Sequence, residues 1–264
     1  MKKSAVLLIF LLVLCGAFLF SKVQGRSSSE QDKKDAPPAQ TETVPMVALT
    51  FDDGPDPVYT DQILDILERY GAKATFFEIG EKLEDAPEAL LREEALGCEV
   101  GSHSYSHQKF SKISGEEALA DLEAADEAFA KVLGHSPTLV RPPYGVWPEE
   151  LANTEYIGVK WSVDTADWQC LDANEIVSFV QGLGRLDGQV LLLHSLYEST
   201  VEAVEVLVPW LQEQGYELVT VSELIEQRFG ETPTAGLYDA YFFWSALPSE
   251  PQPGTYSNFK QPPA

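Results

Sequence analysis

Apolar residues along this chain recur at two periods. Runs rich in β-branched and aromatic residues predict seven strands: Val44 to Phe51, Ala74 to Ile79, Cys98 to Ser102, Thr138 to Val140, Ile157 to Val163, Gln189 to His194 and Glu217 to Val221. Between them the spacing turns helical. Thr60 to Tyr70 places Ile63, Leu64 and Leu67 on one face, and Pro87 to Leu96, Gly115 to Leu133, Pro148 to Glu155, Asp172 to Leu183, Ser199 to Gln214 and Ser222 to Phe229 follow. Gly71, Gly97, Gly134 and Gly215 stand where left-handed C-caps are wanted. Seven β/α alternations predict a parallel sheet closed into a barrel. An open doubly wound sheet has the same periodicity and stays the alternative.

The two ends of the chain depart from this rhythm. Lys2 and Lys3 precede an apolar run from Ala5 to Phe20, the charge-then-apolar order of an export segment. The run exceeds a usual signal-peptide core yet falls short of the roughly 20 residues of an ordinary membrane span. Residues 1–25 therefore read as a signal peptide or an N-terminal membrane anchor. The length of the run and the poor cleavage site at Val23-Gln24-Gly25 favour the anchor, with the lysines inside. Residues 26–43 are polar and proline-containing and read as a flexible linker. The pattern of the main domain, 44–230, stops after Phe229. The tail, 231–264, is rich in prolines and holds Tyr238, Tyr241, Phe242, Phe243 and Trp244. That aromatic cluster is too apolar to be simply solvated and is expected to pack on the barrel. Composition alone makes 248–264 disordered.

Charge narrows the partners. A formal net charge of -24 repels nucleic acid and gives no pull toward anionic lipid, so membrane contact is expected only through the N-terminal segment. Only Cys98 and Cys170 lie beyond that segment, too few for a disulfide framework, and Cys98 reads as a small core residue. A monomer is expected.

Polar constellations sit where predicted strands end, which in a β/α barrel is where chemistry gathers. Asp52 and Asp53 follow the first strand and precede the turn Gly54-Pro55. Adjacent carboxylates after an apolar run are costly unless paired, hydrogen-bonded or metal-bound. His103 and His107 follow the third strand with the i, i+4 spacing that lets two imidazoles reach one metal. Arg141-Pro142-Pro143-Tyr144-Gly145 offers a guanidinium for a carboxylate and a fixed backbone. Asp164 and Asp167 lie between Trp161 and Trp168, and His194 ends an apolar strand. Taken singly each has a bland structural explanation. Together they make the inventory of metal-assisted hydrolysis.

In that order, Thr-Phe-Asp-Asp-Gly-Pro, His-Ser-Tyr-Ser-His, Arg-Pro-Pro-Tyr-Gly, Asp-Thr-Ala-Asp-Trp and Leu-Leu-His resemble the motifs of the polysaccharide deacetylases, the NodB-homology domain of carbohydrate esterase family four. The resemblance runs from about Val44 to Phe229. It implies a distorted (β/α) barrel of about seven β/α units and hydrolysis of acetyl groups on an N-acetylated glycan, foremost the N-acetylglucosamine of peptidoglycan. It implies that Asp53, His103 and His107 bind a divalent metal, zinc before cobalt or another ion. Asp52 would be the general base, His194 the general acid, Arg141 the orienter of Asp52, and Asp167 the partner that raises His194. The Tyr144 N–H would meet the oxyanion, and Pro143, Tyr144 and Trp168 would touch substrate. The chain departs from the pattern at Ser195, where relatives often carry an acidic residue. Chitin, poly-N-acetylglucosamine and acetylated xylan remain alternative substrates, and a catalytically silent glycan-binding domain is the alternative of another class.

Overall fold

The computed structural model describes residues 44–245. The N-terminal segment, the linker and the stretch 248–264 lie outside the described residues. Among the described residues, nine parallel strands form one curled sheet, a half-barrel: β1 (Met46–Gly54), β2 (Thr75–Glu78), β3 (Glu99–Ser102), β4 (Leu139–Val140), β5 (Ile157–Val159), β6 (Val163–Asp164), β7 (Gln189–His194), β8 (Glu217–Leu218) and β9 (Gly236–Tyr238). Their order is β6-β7-β1-β2-β3-β4-β5-β9, with β8 pairing the start of β1. Helices α1 (Tyr59–Tyr70), α2 (Pro87–Ala95), α3 (Gly115–Leu133), α4 (Asp167–Cys170), α5 (Ala173–Gly182), α6 (Glu198–Glu213), α7 (Val221–Leu224) and α8 (Ala240–Ser245) complete the set. Among the described residues no helix is long and apolar enough to cross a membrane.

Alternation along β1 explains the layering. Val47, Leu49 and Phe51 join the cluster under α1, α5 and α6, with Ile63, Leu64, Leu67, Ile176, Val180, Val204 and Leu207. Met46 and Ala48 point the other way, into a second cluster with Phe77, Val190, Val219 and Phe243. A strand buried on both faces must read as a continuous apolar run, and β1 and β7 do. Helix ends follow local chemistry. Ser114 and Glu117 form a capping box at the start of α3, and left-handed Gly134 ends it.

Two segments differ from their sequence pattern, and a third, the aromatic part of the tail, packs on the fold as expected while adding a strand. The run Ile157 to Val163 is two strands at opposite ends of the sheet: β5 pairs with β4 and β9, whereas β6 pairs with β7. The intervening residues 160–162 carry the chain across the seam, where Lys160 N donates to Tyr238 O and Ser162 N to Val190 O. Pro148 to Glu155 contains only a 3-10 turn, Glu149–Asn153. After Gly230 the chain re-enters the fold. β9 extends the sheet beside β5, Tyr238 and Phe243 are buried, and Trp244 Nε1 donates to Ser162 O at 3.4 Å. Cys98, buried, and Cys170, half-buried, are both free, and burial pushes the Cys98 thiol up to about 11.

Candidate active site

The C-terminal ends of β1, β3, β4 and β7 bring the expected polar residues together. Asp53 Oδ1 lies 3.3 Å from His103 Nε2 and 3.2 Å from His107 Nε2. This oxygen is buried and has no hydrogen-bond partner among the described residues. One ligand atom from each of the three side chains lies within 4.8 Å of the others. His103 Nδ1 meets the carbonyl of Arg141 at 2.6 Å. A carbonyl can only accept, so Nδ1 carries the proton and the Nε2 lone pair faces Asp53. The donor set is one carboxylate and two imidazoles, the set that suits zinc and similar ions. An orphaned buried oxygen between two imidazole nitrogens, one of them oriented from behind, fits a bound cation.

Backbone conformation produces this convergence. Asp53 (φ 69°), Ser104 (φ 67°), His107 (φ 54°) and Tyr144 (φ 58°) occupy the left-handed region. Such conformations cost about 1–3 kcal/mol each and persist where surroundings enforce them. Here Ser104 Oγ accepts from His107 N at 3.1 Å, and Asp121 of α3 accepts from Tyr105 N at 2.9 Å. Burial favours the neutral form of Asp53, but the adjacent His103 and His107 side chains outweigh it and hold the carboxyl well below the usual range. His103 is raised. Burial opposes its charge, while Asp52 and then Asp53 favour it.

Asp52 is buried beside this cluster, its Oδ2 3.7 Å from His103 Nε2. Arg141, fully buried, donates from Nη1 to Asp52 Oδ1 at 2.8 Å and to Thr50 Oγ1 at 2.6 Å. Its Nε and Nη2 donate to the Val159 and Lys160 carbonyls at the seam, and its guanidinium stacks 4.1 Å over the Phe77 ring. All three guanidinium nitrogens are hydrogen-bonded, which fixes the carboxylate it holds.

Across the site, His194 Nδ1 donates to Asp167 Oδ1 at 2.8 Å, and His194 N donates to Asp167 Oδ2 at 2.7 Å. Thr200 Oγ1 and Trp168 N satisfy the rest of Asp167, which is fully buried. Burial acts against a charged His194, yet the Asp167 bond and charge, then Asp52 and Asp53, push it up to about 9.

Comparison with known proteins now bears on this arrangement. A polysaccharide deacetylase family model matches residues 39–160. The peptidoglycan-N-acetylmuramic acid deacetylase PdaC of Bacillus subtilis is 42% identical over 182 residues, 69% of this chain and 39% of PdaC. A solved structure of that protein covers 70% of this chain and 92% of its own, at 40% identity and a TM-score of 0.67. The chain belongs to the polysaccharide deacetylase family. The peptidoglycan-N-acetylglucosamine deacetylase PgdA of Listeria monocytogenes is 37% identical over 69% of this chain and 39% of its own length. The chain thus spans about two fifths of these two family members. A family 4 acetyl xylan esterase from Clostridium thermocellum, solved with a cobalt ion, has 30% identity, covers 71% of this chain and 94% of its own, and has a TM-score of 0.65.

Other expected residues of this family member are placed as follows. Tyr144 is 53% exposed and its ring lies 5.0 Å from that of His107. Pro143 is buried within its turn and offers little surface to a glycan, whereas Trp168 is half-buried at the start of α4. His135 lies apart, paired with Glu94 at 2.9 Å. Sequence reasoning missed several neighbours. Tyr197 sets its ring 6.3 Å from His194, and burial, then Asp53 and Asp167, raise its hydroxyl. Thr200, Asp121, Lys82 and the buried Glu78 and Glu93 were also missed, for none stands in a motif and burial of a glutamate leaves no mark in a single sequence.

Proposed function

We propose that this chain removes acetyl groups by metal-dependent hydrolysis from N-acetylated sugars of an extracellular polysaccharide, foremost the N-acetylglucosamine of peptidoglycan. The observation that carries the reading is the Asp53–His103–His107 cluster, flanked by Asp52–Arg141 on one side and His194–Asp167 on the other. Asp53, His103 and His107 would hold a divalent metal, zinc by the chemistry of the donors. Once bound, that ion supplies a Lewis acid for the acetyl oxygen and acidifies water.

The chain's own groups divide the remaining work. Asp52 accepts the proton of the hydrolytic water at its carboxylate, which Arg141 aims. His194, held protonated by Asp167, delivers a proton from Nε2 to the departing amine nitrogen. The Tyr144 N–H sits on a strained turn next to His107, where it can donate to an oxyanion. Tyr144 and Trp168 offer partly exposed rings for a sugar face. The run Ala5 to Phe20 and the names of the relatives support work at the cell wall, with the chain exported and held at the membrane or released.

The relative with the higher identity is named for N-acetylmuramic acid. The test is acetate release by the purified protein from peptidoglycan, chitin oligomers, poly-N-acetylglucosamine and acetylated xylan, with the deacetylated peptidoglycan sugar identified by mass spectrometry. Glucosamine in the digest supports the reading, muramic acid redirects it, and no acetate from any polymer sinks it.

A further inference from the structure

The two loops that carry the metal-type ligands share one neighbour for which the proposed chemistry has no use. The turn Glu78 to Lys82, after β2, hydrogen-bonds to both. Toward the first loop, Ile79 N donates to Gly54 O at 2.8 Å. Toward the second, Glu78 O accepts from His103 N at 2.8 Å, while Gly80 N and Glu81 N donate to the Ser104 and Tyr105 carbonyls at 2.9 and 3.0 Å. Gly80 is pressed so close that a Cβ would lie 2.7 Å from the Tyr105 ring and 3.2 Å from Ala125 Cα. One side chain completes the brace. Lys82 Nζ donates to the Asp53 carbonyl at 2.8 Å.

That carbonyl belongs to a residue at φ 69°, a conformation its surroundings must hold in place. Glu78 and Glu93 are fully buried, and their four carboxyl oxygens have no donor among the described residues. Burial raises both carboxyls, and Lys82 is a positive charge acting on Glu78. Glu78 packs directly under the first loop, for a Cβ on Gly54 would lie 2.5 Å from its Oε2.

We propose that Lys82 is a positioning residue for the metal centre: its side-chain amine, bonded to the Asp53 carbonyl, fixes the left-handed backbone that aims the Asp53 carboxylate at His103 and His107. This rests on the metal-centre reading above. Partners that orient ligands from behind typically change metal affinity by about 10–100-fold when removed. Lys82→Met keeps most of the stem and loses the donor and the charge. Lys82→Arg keeps both.

The experiment titrates zinc into metal-free protein against a chromophoric chelator, for the wild type, Lys82→Met, Lys82→Gln, Lys82→Arg and His107→Ala, and records each metal-free melting temperature. Binding should vanish in His107→Ala, weaken about 10–100-fold in the two neutral variants, and return in large part with arginine. The glutamine variant keeps the test alive if methionine prevents folding. Unchanged zinc affinity in a folded neutral variant overturns the role of Lys82 alone. So does a loss that arginine fails to restore and that merely tracks the melting temperature. A wild type that binds no zinc overturns the metal-centre reading and this inference with it.

Discussion

Asp53 and His107 sit on left-handed backbone, with His103 beside a third such residue, whereas His194 ends a regular strand and takes its orientation from one carboxylate. The strained residue near the second group, Ala166 (φ 55°), only precedes Asp167. The two halves of the site solve different problems. Three ligand atoms from two loops must converge on a point, and strained backbone braced from behind achieves that. A general acid needs a raised pKa, and a buried, fully hydrogen-bonded carboxylate beside the imidazole supplies it. The halves should therefore fail in different ways, one by losing metal and the other by losing its pH profile.

Asp53→Ala and His107→Ala should do the most damage. Both are expected to lose bound metal and reduce acetate release to background, checked by elemental analysis and assay on the same samples. A variant that kept its metal would erase the distinction between the halves. Next in size come Asp52→Asn and His194→Ala, which should retain near-stoichiometric metal while turnover falls about a hundredfold to ten-thousandfold. Full activity in folded His194→Ala would make that histidine a packing residue.

Asp167→Asn sharpens the contrast through pH. Asp167 raises His194; with His194 as the proposed general acid, activity should fade on the alkaline side as it deprotonates. Without the carboxylate charge the alkaline limb should move to lower pH while the acidic limb stays in place. An unmoved profile would separate Asp167 from the acid's function. The smallest effect is expected from Gly80→Ala. The added methyl meets Tyr105 and Ala125, at a cost of about 1–3 kcal/mol in urea unfolding. Because this strain presses on the histidine loop, zinc affinity should fall with stability. Lost stability with intact zinc binding would show that the loop is held from elsewhere.

The chemically rich residues were legible because they gather in polar clusters after apolar strands, where a parallel β/α fold collects its chemistry. The alternation of strands and helices likewise announced a parallel sheet. Other features left no such signature. Ile157 to Val163 reads as one apolar strand, although the pairs of β5 and β6 lie at opposite ends of the sheet and only tertiary contact divides them. Pro148 to Glu155 has helical spacing but forms only the 3-10 turn Glu149–Asn153, with Leu151 alone of its span buried. Glu78 and Glu93 look like solvated polar positions in sequence and are among the most buried groups in the fold. Lys82 carries no motif at all, and its meaning lies in a bond to a main-chain carbonyl far along the sequence.

The central claim is that Asp53, His103 and His107 hold the ion on which hydrolysis depends. Acetate released from N-acetylated peptidoglycan should be followed in the purified protein, then after exhaustive chelation, then after zinc is returned. The account predicts that turnover disappears on chelation and recovers with about one ion per chain. Undiminished acetate release from protein in which no metal can be detected would contradict it.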